Sequence, residues 1–386
     1  MFTQLFRTID GGVPRRTRRA VPSARSLARS VAGSGLLDAL TAPHGVDRYL
    51  ELLRPSLSLR DLRAEVVHVR RQTTDSVTVR LRPNRQWRGF QAGQFVAVTV
   101  EIDGVRRTRC YSPANSSSAG DGCLELTVRA HPHGLVSRHL YEVARPGLVV
   151  GLAAADGDFT LPAIRPKQLL LVSGGSGITP VLSMLRTLCD EGHGDPITFL
   201  HYARSPRAVT YRYELAAIVE RHPNVRVVHV YTRGRSQGLR HAHFSRAQLT
   251  ALAPELLGAP AYVCGPPALI EAVRDLWAAE GAQDNVFTES FLPVRVLPPA
   301  EGVSGTVRFR GSATTAENSG ATLLEQAEAA GLRPRHGCRM GICHTCTCRK
   351  LSGHVRNVHS GELSSPEEQD IQICVSVPAG DVELDL

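Results

Sequence analysis

The chain has 386 residues, 42% of them hydrophobic, and a formal net charge of +9. This length exceeds what one ordinary core accommodates and predicts two or three globular domains. The longest apolar run, Leu148–Ala155, is far shorter than the roughly 20 residues that a membrane-spanning helix needs, so the sequence predicts no such helix.

The N-terminal residues carry most of the positive charge. Residues 1–30 hold seven arginines and one acid, Asp10, which accounts for +6 of the +9. A basic tail can attract anionic lipid or nucleic acid, whereas a solvated, disordered tail needs no partner. We interpret residues 1–33 as a disordered basic tail and expect no nucleic-acid partner. Residues 34–61 show an apolar pattern broken by Pro43, which predicts a leader of short helices.

Residues 62–164 consist of short alternating segments separated by turn residues. This spacing is typical of strands in an antiparallel barrel. The clearest predicted strands are Glu65–Arg70, Ser76–Leu81, Gln94–Val100 and Leu124–Arg129. We therefore predict an antiparallel β-barrel for this part of the chain.

Residues 165–292 alternate between apolar strands and helical stretches, which predicts an α/β domain with a parallel sheet. The predicted strands are Leu169–Ser173, Ile197–Tyr202, Val225–Tyr231, Tyr262–Cys264 and Val286–Thr288. Three prolines in the next stretch predict a linker over residues 293–302. Residues 303–386 then form a small α+β domain, with a hairpin around Gly311 and one helix. That helix has Thr322 as N-cap, Glu325 completing a capping box, and Gly331 as its stop.

Four cysteines near the C-terminus are spaced as cluster ligands. Cys338, Cys343 and Cys346 follow a C-x4-C-x2-C pattern, and Cys374 follows after 27 intervening residues, on a predicted strand Ile371–Val375. Four thiolates hold the two irons of a [2Fe–2S] cluster, and this spacing is the plant type. A zinc site would favour two paired C-x2-C knuckles, of which only one is present. The other cysteines are scattered and odd in number, which favours a reducing compartment over a disulfide framework.

A second group of residues suits a flavin. In Arg109-Cys110-Tyr111-Ser112, the arginine offers a forked cation to a phosphate, and the tyrosine ring can stack on an isoalloxazine. The Ser112 hydroxyl can hydrogen-bond flavin N5, the atom that accepts hydride. Gly134 and Ser137 open a predicted helix, Ser137–Val143, whose N-terminus suits a pyrophosphate. The alternative is an ordinary barrel turn followed by a helix cap.

A third group suits a dinucleotide. A glycine-rich turn with Gly174, Gly175 and Gly177 follows the first parallel strand, with Thr179 as the expected N-cap and Pro180 at the first helical position. A later strand ends in Cys264-Gly265-Pro266. The last strand of the sheet ends at Glu289, with Phe291 close behind. Cys264 could equally be a buried structural thiol.

The residues after the second parallel strand bear on the choice of nucleotide. Arg204, Ser205 and Arg207 offer cations and a hydroxyl, which a 2′-phosphate needs, whereas NAD requires an acid for the ribose diol. No acid stands at the end of this strand. We predict NADPH, the alternative being that these arginines only solvate a loop.

Taken together and in this order, the motifs resemble the ferredoxin–NADP reductase superfamily with a C-terminal plant-type ferredoxin domain, over residues 62–386. The resemblance implies FAD at the first site, although some relatives use FMN, and a β-grasp fold for residues 303–386. It places Cys264 beside the nicotinamide, and Glu289 and Phe291 near the flavin. By the same resemblance, the catalytic residues are Ser112, Cys264 and Glu289.

The resemblance also implies a path for electrons, from NADPH to FAD, to the cluster and then to an external acceptor. The N-terminal segment resembles actinobacterial reductases that feed membrane fatty-acyl desaturases, so we predict a membrane di-iron desaturase as acceptor and a cytoplasmic protein with peripheral membrane contact. One alternative is an NADH-dependent reductase of a ring-hydroxylating oxygenase or cytochrome P450. An alternative of another class is a scaffold or binding module without cofactors.

Overall fold

The computed structural model describes residues 56–132, 134–233, 243–291, 304–337, 344–358 and 361–386, together with Asp47, Arg339 and Gly341. The predicted basic tail, most of the helical leader, the linker, Cys338 and Cys343 lie outside the described residues. Residues 1–59 and 60–386 form two units. In the first, the side chain of Ser58 and the backbone N–H of Leu59 donate to the Asp47 carboxylate. Three sheets build the second.

The first sheet is antiparallel throughout, in the order β4-β3-β6-β1-β2-β5. Directly after β4, Pro113 forms an isolated bridge with Leu126 of β5, which brings the two edge strands together and closes the sheet. Alternate valines and leucines point inward, where α1 covers one end of the core. The predicted barrel is confirmed. Its elements are β1 (Arg63–Thr73), β2 (Ser76–Pro83), β3 (Val96–Ile102), β4 (Val105–Tyr111), β5 (Leu124–Arg129), α1 (Leu135–Val143) and β6 (Val149–Leu152).

The second sheet is parallel, in the order β11-β10-β7-β8-β9. Strands β7 and β8 are buried along their whole length, because apolar clusters cover both faces. Its first strand, β7, lies between β8 and β10, so the chain changes direction there, and such switch points favour ligand binding at the carboxyl edge. The elements are β7 (Leu169–Gly174), α2 (Ile178–Asp190), β8 (Ile197–Ala203), α3 (Arg212–Arg221), β9 (Val225–Tyr231), α4 (Arg246–Leu252), β10 (Ala261–Cys264), α5 (Pro267–Ala279) and β11 (Val286–Glu289).

The third sheet is mixed, in the order β13-β12-β16-β14-β15, with β12 parallel to β16. The predicted capping box is present: Thr322 Oγ1 accepts from the Glu325 N–H at 3.3 Å, and the Glu325 carboxylate accepts from the Thr322 N–H at 3.1 Å. Lys350 is buried, and its Nζ donates to the carbonyls of Ser365 and Glu367, which ties that loop to the sheet. The elements are β12 (Thr306–Phe309), β13 (Thr314–Glu317), α6 (Leu323–Ala329), β14 (Thr347–Asn357), β15 (Gln369–Gln372) and β16 (Ser376–Leu384).

Three local expectations were wrong. Helix α1 begins at Leu135, so Ser137 lies inside its first turn. Helix α2 has Gly177 as N-cap, because a turn of 3-10 helix over Gly175–Gly177 runs straight into it, and Thr179 is its second residue. Cys374 lies in the turn between β15 and β16 and not in a strand, since the Val375 N–H bonds back to Gln372.

Gly177 is required for the close approach of two loops. A Cβ at this position would lie far inside contact distance of the Cys264 backbone carbonyl, which cannot move without disturbing β10. By contrast, Gly194 lies on the surface of the same sheet domain. A Cβ added there would have no atom within 4 Å, and the residue has no left-handed φ.

We therefore expect Gly177→Ala to destabilise the parallel-sheet domain by about 1–3 kcal/mol or more, as overpacking against rigid neighbours does. Gly194→Ala is the matched control and should change the free energy of unfolding little. Chemical denaturation followed by far-UV circular dichroism measures both. Equal stability of the two variants would show that the turn can move away from Cys264.

Candidate active site

The end of β4 carries the first group of predicted residues. Arg109 and Tyr111 are half-buried and pair with Val98 and Val96 of β3. As alternate residues of one strand, they share a face of the sheet. The Arg109 Nη1 donates to the Thr108 carbonyl at 2.7 Å, which fixes the guanidinium while leaving other N–H groups for a ligand. Burial raises the pKa of the Tyr111 phenol, so the ring is neutral.

Ser112, directly after β4, is buried, and its Oγ has no hydrogen-bond partner among the described residues. Native proteins satisfy most buried hydroxyls, so an unsatisfied one calls for an explanation. A ligand atom held against the end of β4 would supply the missing partner. The arrangement therefore fits a flavin, which presents hydrogen-bonding nitrogen and oxygen atoms along one edge.

The turn before α1 forms a small cradle at a helix N-terminus. The Ser137 hydroxyl accepts from the His131 N–H at 3.2 Å and donates to the Gly134 carbonyl at 3.3 Å. A Cβ at Gly134 would collide with the Ser137 Oγ, so a larger residue there would displace this hydroxyl from its contacts. Unpaired N–H groups at such a helix start can bind a phosphate, and no acidic side chain lies in the first turn to oppose it.

The glycine-rich turn and the Cys264-Gly265-Pro266 loop contact each other backbone to backbone. A Cβ at Gly174 would lie 2.6 Å from the Pro266 ring, and one at Gly265 would lie 3.0 Å from the Gly174 nitrogen. Gly175 has a φ of +57°, in the left-handed region that favours glycine. Thr179 stays close to this turn, since its hydroxyl donates to the Ser176 carbonyl at 3.4 Å. The accessible residues of this turn, Gly175 and Ser176, lie directly before α2 and carry no large side chain that would obstruct a pyrophosphate at the helix start.

Cys264 and Glu289 are neighbours at the carboxyl edge of the parallel sheet. They occupy the same register position of β10 and β11. Burial raises the pKa of Glu289 to about 8, and its Oε2 has no partner among the described residues. Burial and the Glu289 charge raise the pKa of the Cys264 thiol well above its ordinary value. At neutral pH both groups therefore keep their protons.

A single apolar core joins this edge to the barrel. Ala114, two residues beyond Ser112, belongs to the same buried cluster as Cys264, and Phe291 packs against that cluster. A residue close to the predicted flavin motif and the residue predicted to lie beside the nicotinamide therefore belong to one core.

The residues predicted to select the nucleotide lie just beyond β8. Arg204 and Arg207 are exposed, Ser205 is half-buried, and neither arginine forms an ion pair with another residue in the described part of the chain. The Arg204 carbonyl accepts from the Arg233 N–H at 3.1 Å, which holds the loop against the end of β9. Two cationic side chains are thus available at the sheet edge.

Sequence reasoning missed a buried polar row that continues from Cys264. Ser173, His201 and His229 follow it in register across β7, β8 and β9. The Ser173 hydroxyl lies 2.7 Å from the His201 Nδ1, and burial lowers the pKa of His201 to about 3, so the imidazole is neutral. The register of parallel strands would have brought these residues together, but each one alone carries no motif.

Two of the four predicted cluster ligands are described, whereas Cys338 and Cys343 lie outside the described residues. Cys346 and Cys374 are both buried, and the Ile373 N–H donates to the Cys346 carbonyl, which draws the two cysteine-bearing turns together. Arg339, Gly341 and His344 all have positive φ, the left-handed backbone conformation that is typical of tight turns. Buried thiols in such a loop fit a cluster that soft thiolate ligands hold.

Comparison with known proteins agrees with this layout. Three family models match the chain: an oxidoreductase FAD-binding domain over residues 64–161, an oxidoreductase NAD-binding domain over residues 171–275, and a 2Fe-2S iron-sulfur cluster binding domain over residues 307–379. An NADPH oxidoreductase of Mycobacterium tuberculosis is 35% identical over 354 residues, which cover 90% of each chain.

Two further relatives match most of the chain. The glycine betaine monooxygenase reductase subunit of Chromohalobacter salexigens is 32% identical over 77% of this chain and 87% of its own. The solved structure of phthalate dioxygenase reductase, a modular protein for electron transfer from pyridine nucleotides to [2Fe-2S], superposes with a TM-score of 0.57. It is 25% identical, over 85% of this chain and 98% of its own. The chain therefore belongs to the ferredoxin–NADP reductase superfamily, as an NAD(P)H oxidoreductase with a C-terminal [2Fe–2S] domain.

Proposed function

We propose that this chain is an NADPH-dependent reductase that passes electrons through FAD and its own [2Fe–2S] cluster to an oxygen-activating enzyme. The observation that carries the proposal is the pair of buried, unsatisfied oxygen atoms, Ser112 Oγ and Glu289 Oε2, each of which lies two residues from a residue of one shared core, Ala114 or Phe291. A nicotinamide and a flavin placed there would meet a polar group from each side. The names of the relatives support this class of acceptor, since one relative is a reductase subunit of a monooxygenase and another is a dioxygenase reductase.

Each predicted residue has a defined task in this proposal. A flavin held by these residues would supply the conversion between two-electron hydride transfer and one-electron transfer that the cluster requires. Ser112 offers a hydroxyl to the flavin edge, and Tyr111 offers a neutral ring for stacking. Arg109 and the Gly134–Ser137 turn bind the flavin phosphates. Glu289, protonated below pH 8, holds a proton at Oε2 beside the site, and Cys264 keeps its thiol proton and fills the space next to the nicotinamide.

The preference for NADPH rests on the charges near β8. Arg204 and Arg207 are exposed, whereas Glu214, the first acid after the strand, is bound by the Arg186 Nε at 2.6 Å. No described acid at the strand end is available for a ribose diol. The name of the M. tuberculosis relative, NADPH oxidoreductase, points the same way.

The two cofactor sites should be separable by mutation. Cys346→Ser should remove the absorbance of the iron–sulfur cluster but retain flavin and NADPH-to-ferricyanide activity, because a flavin alone can reduce that dye. Arg109→Ala should lower flavin occupancy but keep the iron content, because it removes a cation from the flavin site only. Visible spectra, iron analysis and extracted flavin measure both effects. A colourless wild-type protein would instead indicate a scaffold, and loss of both cofactors in either variant would contradict the separation.

The choice of nucleotide can be tested by steady-state kinetics. Replacing both Arg204 and Arg207 with alanine should raise the KM for NADPH ten- to hundredfold and leave the KM for NADH nearly unchanged. A hydrogen bond to a charged group contributes roughly 1.5–3 kcal/mol, which corresponds to that range. Arg246→Ala, an exposed arginine of the same domain, is the control and should change neither value. Equal effects on both nucleotides would contradict a 2′-phosphate site.

Within the class of oxygen-activating enzymes, we propose a membrane-bound di-iron lipid desaturase as the acceptor. The +6 charge of residues 1–30 can hold the protein near anionic lipid, at about 1 kcal/mol per charge close to the surface. A reductase with its own ferredoxin domain suits a terminal oxidase that lacks one. Among the described residues, no helix is long and apolar enough to cross a membrane. The proposed contact is therefore carried by charge at the lipid surface.

The proposed acceptor leads to two predictions that can be measured. The full-length protein should co-sediment with vesicles that contain anionic lipid at low salt, and both high salt and deletion of residues 1–30 should abolish binding, because salt screens surface charges. With membranes containing a desaturase, NADPH and O₂, the protein should support double-bond formation in an acyl chain, and Cys346→Ser should stop it. If the protein does not bind vesicles and supports a soluble oxygenase at a higher rate than the desaturase, the desaturase assignment is wrong. The proposed reductase function would still hold.

A further inference from the structure

Helix α2 presents polar side chains to the barrel, although almost all of the helix is buried. Ser183, Arg186 and Thr187 lie three and four residues apart, on one face of the helix. The Ser183 hydroxyl donates to the Asn115 carbonyl at 2.7 Å, and the Thr187 hydroxyl accepts from the Ser117 N–H at 3.0 Å. This face therefore binds the backbone that follows the Arg109–Ser112 motif.

Arg186 is the centre of these contacts. Its Nη1 donates to the Ala114 carbonyl at 2.5 Å and to Glu125 of β5 at 2.9 Å, and its Nε donates to Glu214 of α3 at 2.6 Å. The side chains of Arg186 and Glu125 are only 14% and 17% exposed, so solvent screens this pair much less than the surface pairs. One guanidinium thus joins the barrel, α2 and α3.

Tyr211 makes a second connection beside it. The residue belongs to the parallel-sheet domain, as the N-cap of α3, yet its buried phenol hydrogen-bonds to Thr127 of β5, and Thr78 of β2 lies 3.5 Å from the same oxygen. The Arg186 guanidinium lies 5.0 Å from the centre of the ring. Tyr211 has a φ of +59°, which is unfavourable for a bulky residue and persists only where the surroundings enforce it.

The two connections are placed between the proposed cofactor sites. Ala114, which accepts from Arg186, is two residues beyond Ser112, and Arg186 is on the helix whose N-cap is Gly177. A shift of α2 against the barrel would therefore change the separation between the flavin motif and the glycine-rich turn. Hydride transfer requires the reacting atoms to be held about 3–3.5 Å apart, and a displacement of about 1 Å can slow it a hundredfold.

We propose that Arg186 and Tyr211 are positioning residues for hydride transfer, which fix the flavin barrel against the nucleotide-binding sheet. The proposal rests on the flavin and nucleotide sites assigned above. It differs from a role in binding, because neither residue lies in the motifs predicted to contact a cofactor. It also differs from a general role in stability, because the contacts of α2 converge on residues 114–117, directly after Ser112, and Tyr211 packs beside Arg186.

Tyr211→Phe removes one hydroxyl and keeps the ring, and Arg186→Met removes the cation while keeping most of the side-chain length. Tyr211→Gly keeps the left-handed backbone without strain but loses the phenol and ring, so it separates the contact from the strain. In anaerobic stopped-flow experiments on the full chain, we expect these three variants to reduce their flavin at least tenfold more slowly at saturating NADPH. Flavin content, iron content and the Kd for NADP⁺ should stay within twofold of wild type.

A readout that does not depend on turnover is hydrogen–deuterium exchange. The Ser117 N–H, which donates to the Thr187 hydroxyl, should exchange faster in each of the three variants, as should the β5 peptide that contains Thr127. Arg246→Met is the matched control, because it breaks an arginine–glutamate pair inside the parallel-sheet domain, with Glu280, and it should alter neither exchange nor flavin reduction. If Arg186→Met does not fold, Tyr211→Phe still tests the proposal, because it removes only one hydroxyl.

Two results would overturn the proposal. Faster exchange with flavin reduction within twofold of wild type would show that the contacts serve stability alone. Slower reduction accompanied by loss of flavin or of NADP⁺ affinity would show damage to the binding sites. Failure of the proposed function is distinguishable from both, since the wild-type protein itself would then not bleach its flavin with NADPH.

Discussion

The backbone contact between the glycine-rich turn and the Cys264 carbonyl is the constraint on which the site depends. It excludes a side chain at residue 177 and brings the ends of β7 and β10 together at the switch point of the sheet. Helix α2 must begin there, with its N–H groups directed at the carboxyl edge. Two turns later the same helix meets the barrel through Arg186. Gly177 therefore fixes where α2 begins, and α2 in turn fixes the backbone that follows Ser112.

The site retains polar groups at a cost to the fold. A buried hydroxyl or carboxyl without a partner costs about 1–3 kcal/mol, which a bound ligand can recover. Glu289 adds a dependence on pH. Because burial raises its pKa from 4.5 to about 8, the folded chain holds a proton that the unfolded chain loses. Its contribution to stability is therefore greatest below pH 4.5 and is lost progressively as the pH rises to 8. Buried polar groups without partners, and carboxyl groups with a shifted pKa, are characteristic of ligand-binding sites.

The sequence was sufficient for the order of elements, because strand alternation, glycine-rich turns and cysteine spacing are local signals. The capping box at Thr322 and the strand Val225–Tyr231 were predicted to the residue. The errors at Ser137, Thr179 and Cys374 concern where an element begins or ends, which depends on neighbouring loops. The assignment of roles to the site residues stays a prediction.

Other parts of the site had no local signal at all. Arg186 meets Ala114 across 72 residues of sequence, and Tyr211 meets Thr127 across 84. The Ser173–His201 pair depends on the register of two strands that a whole helix separates. A periodic pattern reports which face of an element is buried, but it does not report which distant residue that face will meet.

Charge is segregated along the chain in a way that bears on the acceptor. The first 30 residues carry +6, whereas residues 361–386 contain seven acids and no lysine or arginine. An anionic lipid surface attracts the first segment and repels the second, over distances of about 10 Å at 0.1 M salt. In the proposed complex, the lipid would therefore hold the N-terminal tail and not the end of the chain that carries Cys374. This proposal assigns membrane attachment to residues 1–30 and electron delivery to the domain that carries Cys374, so the two properties should be separable by mutation.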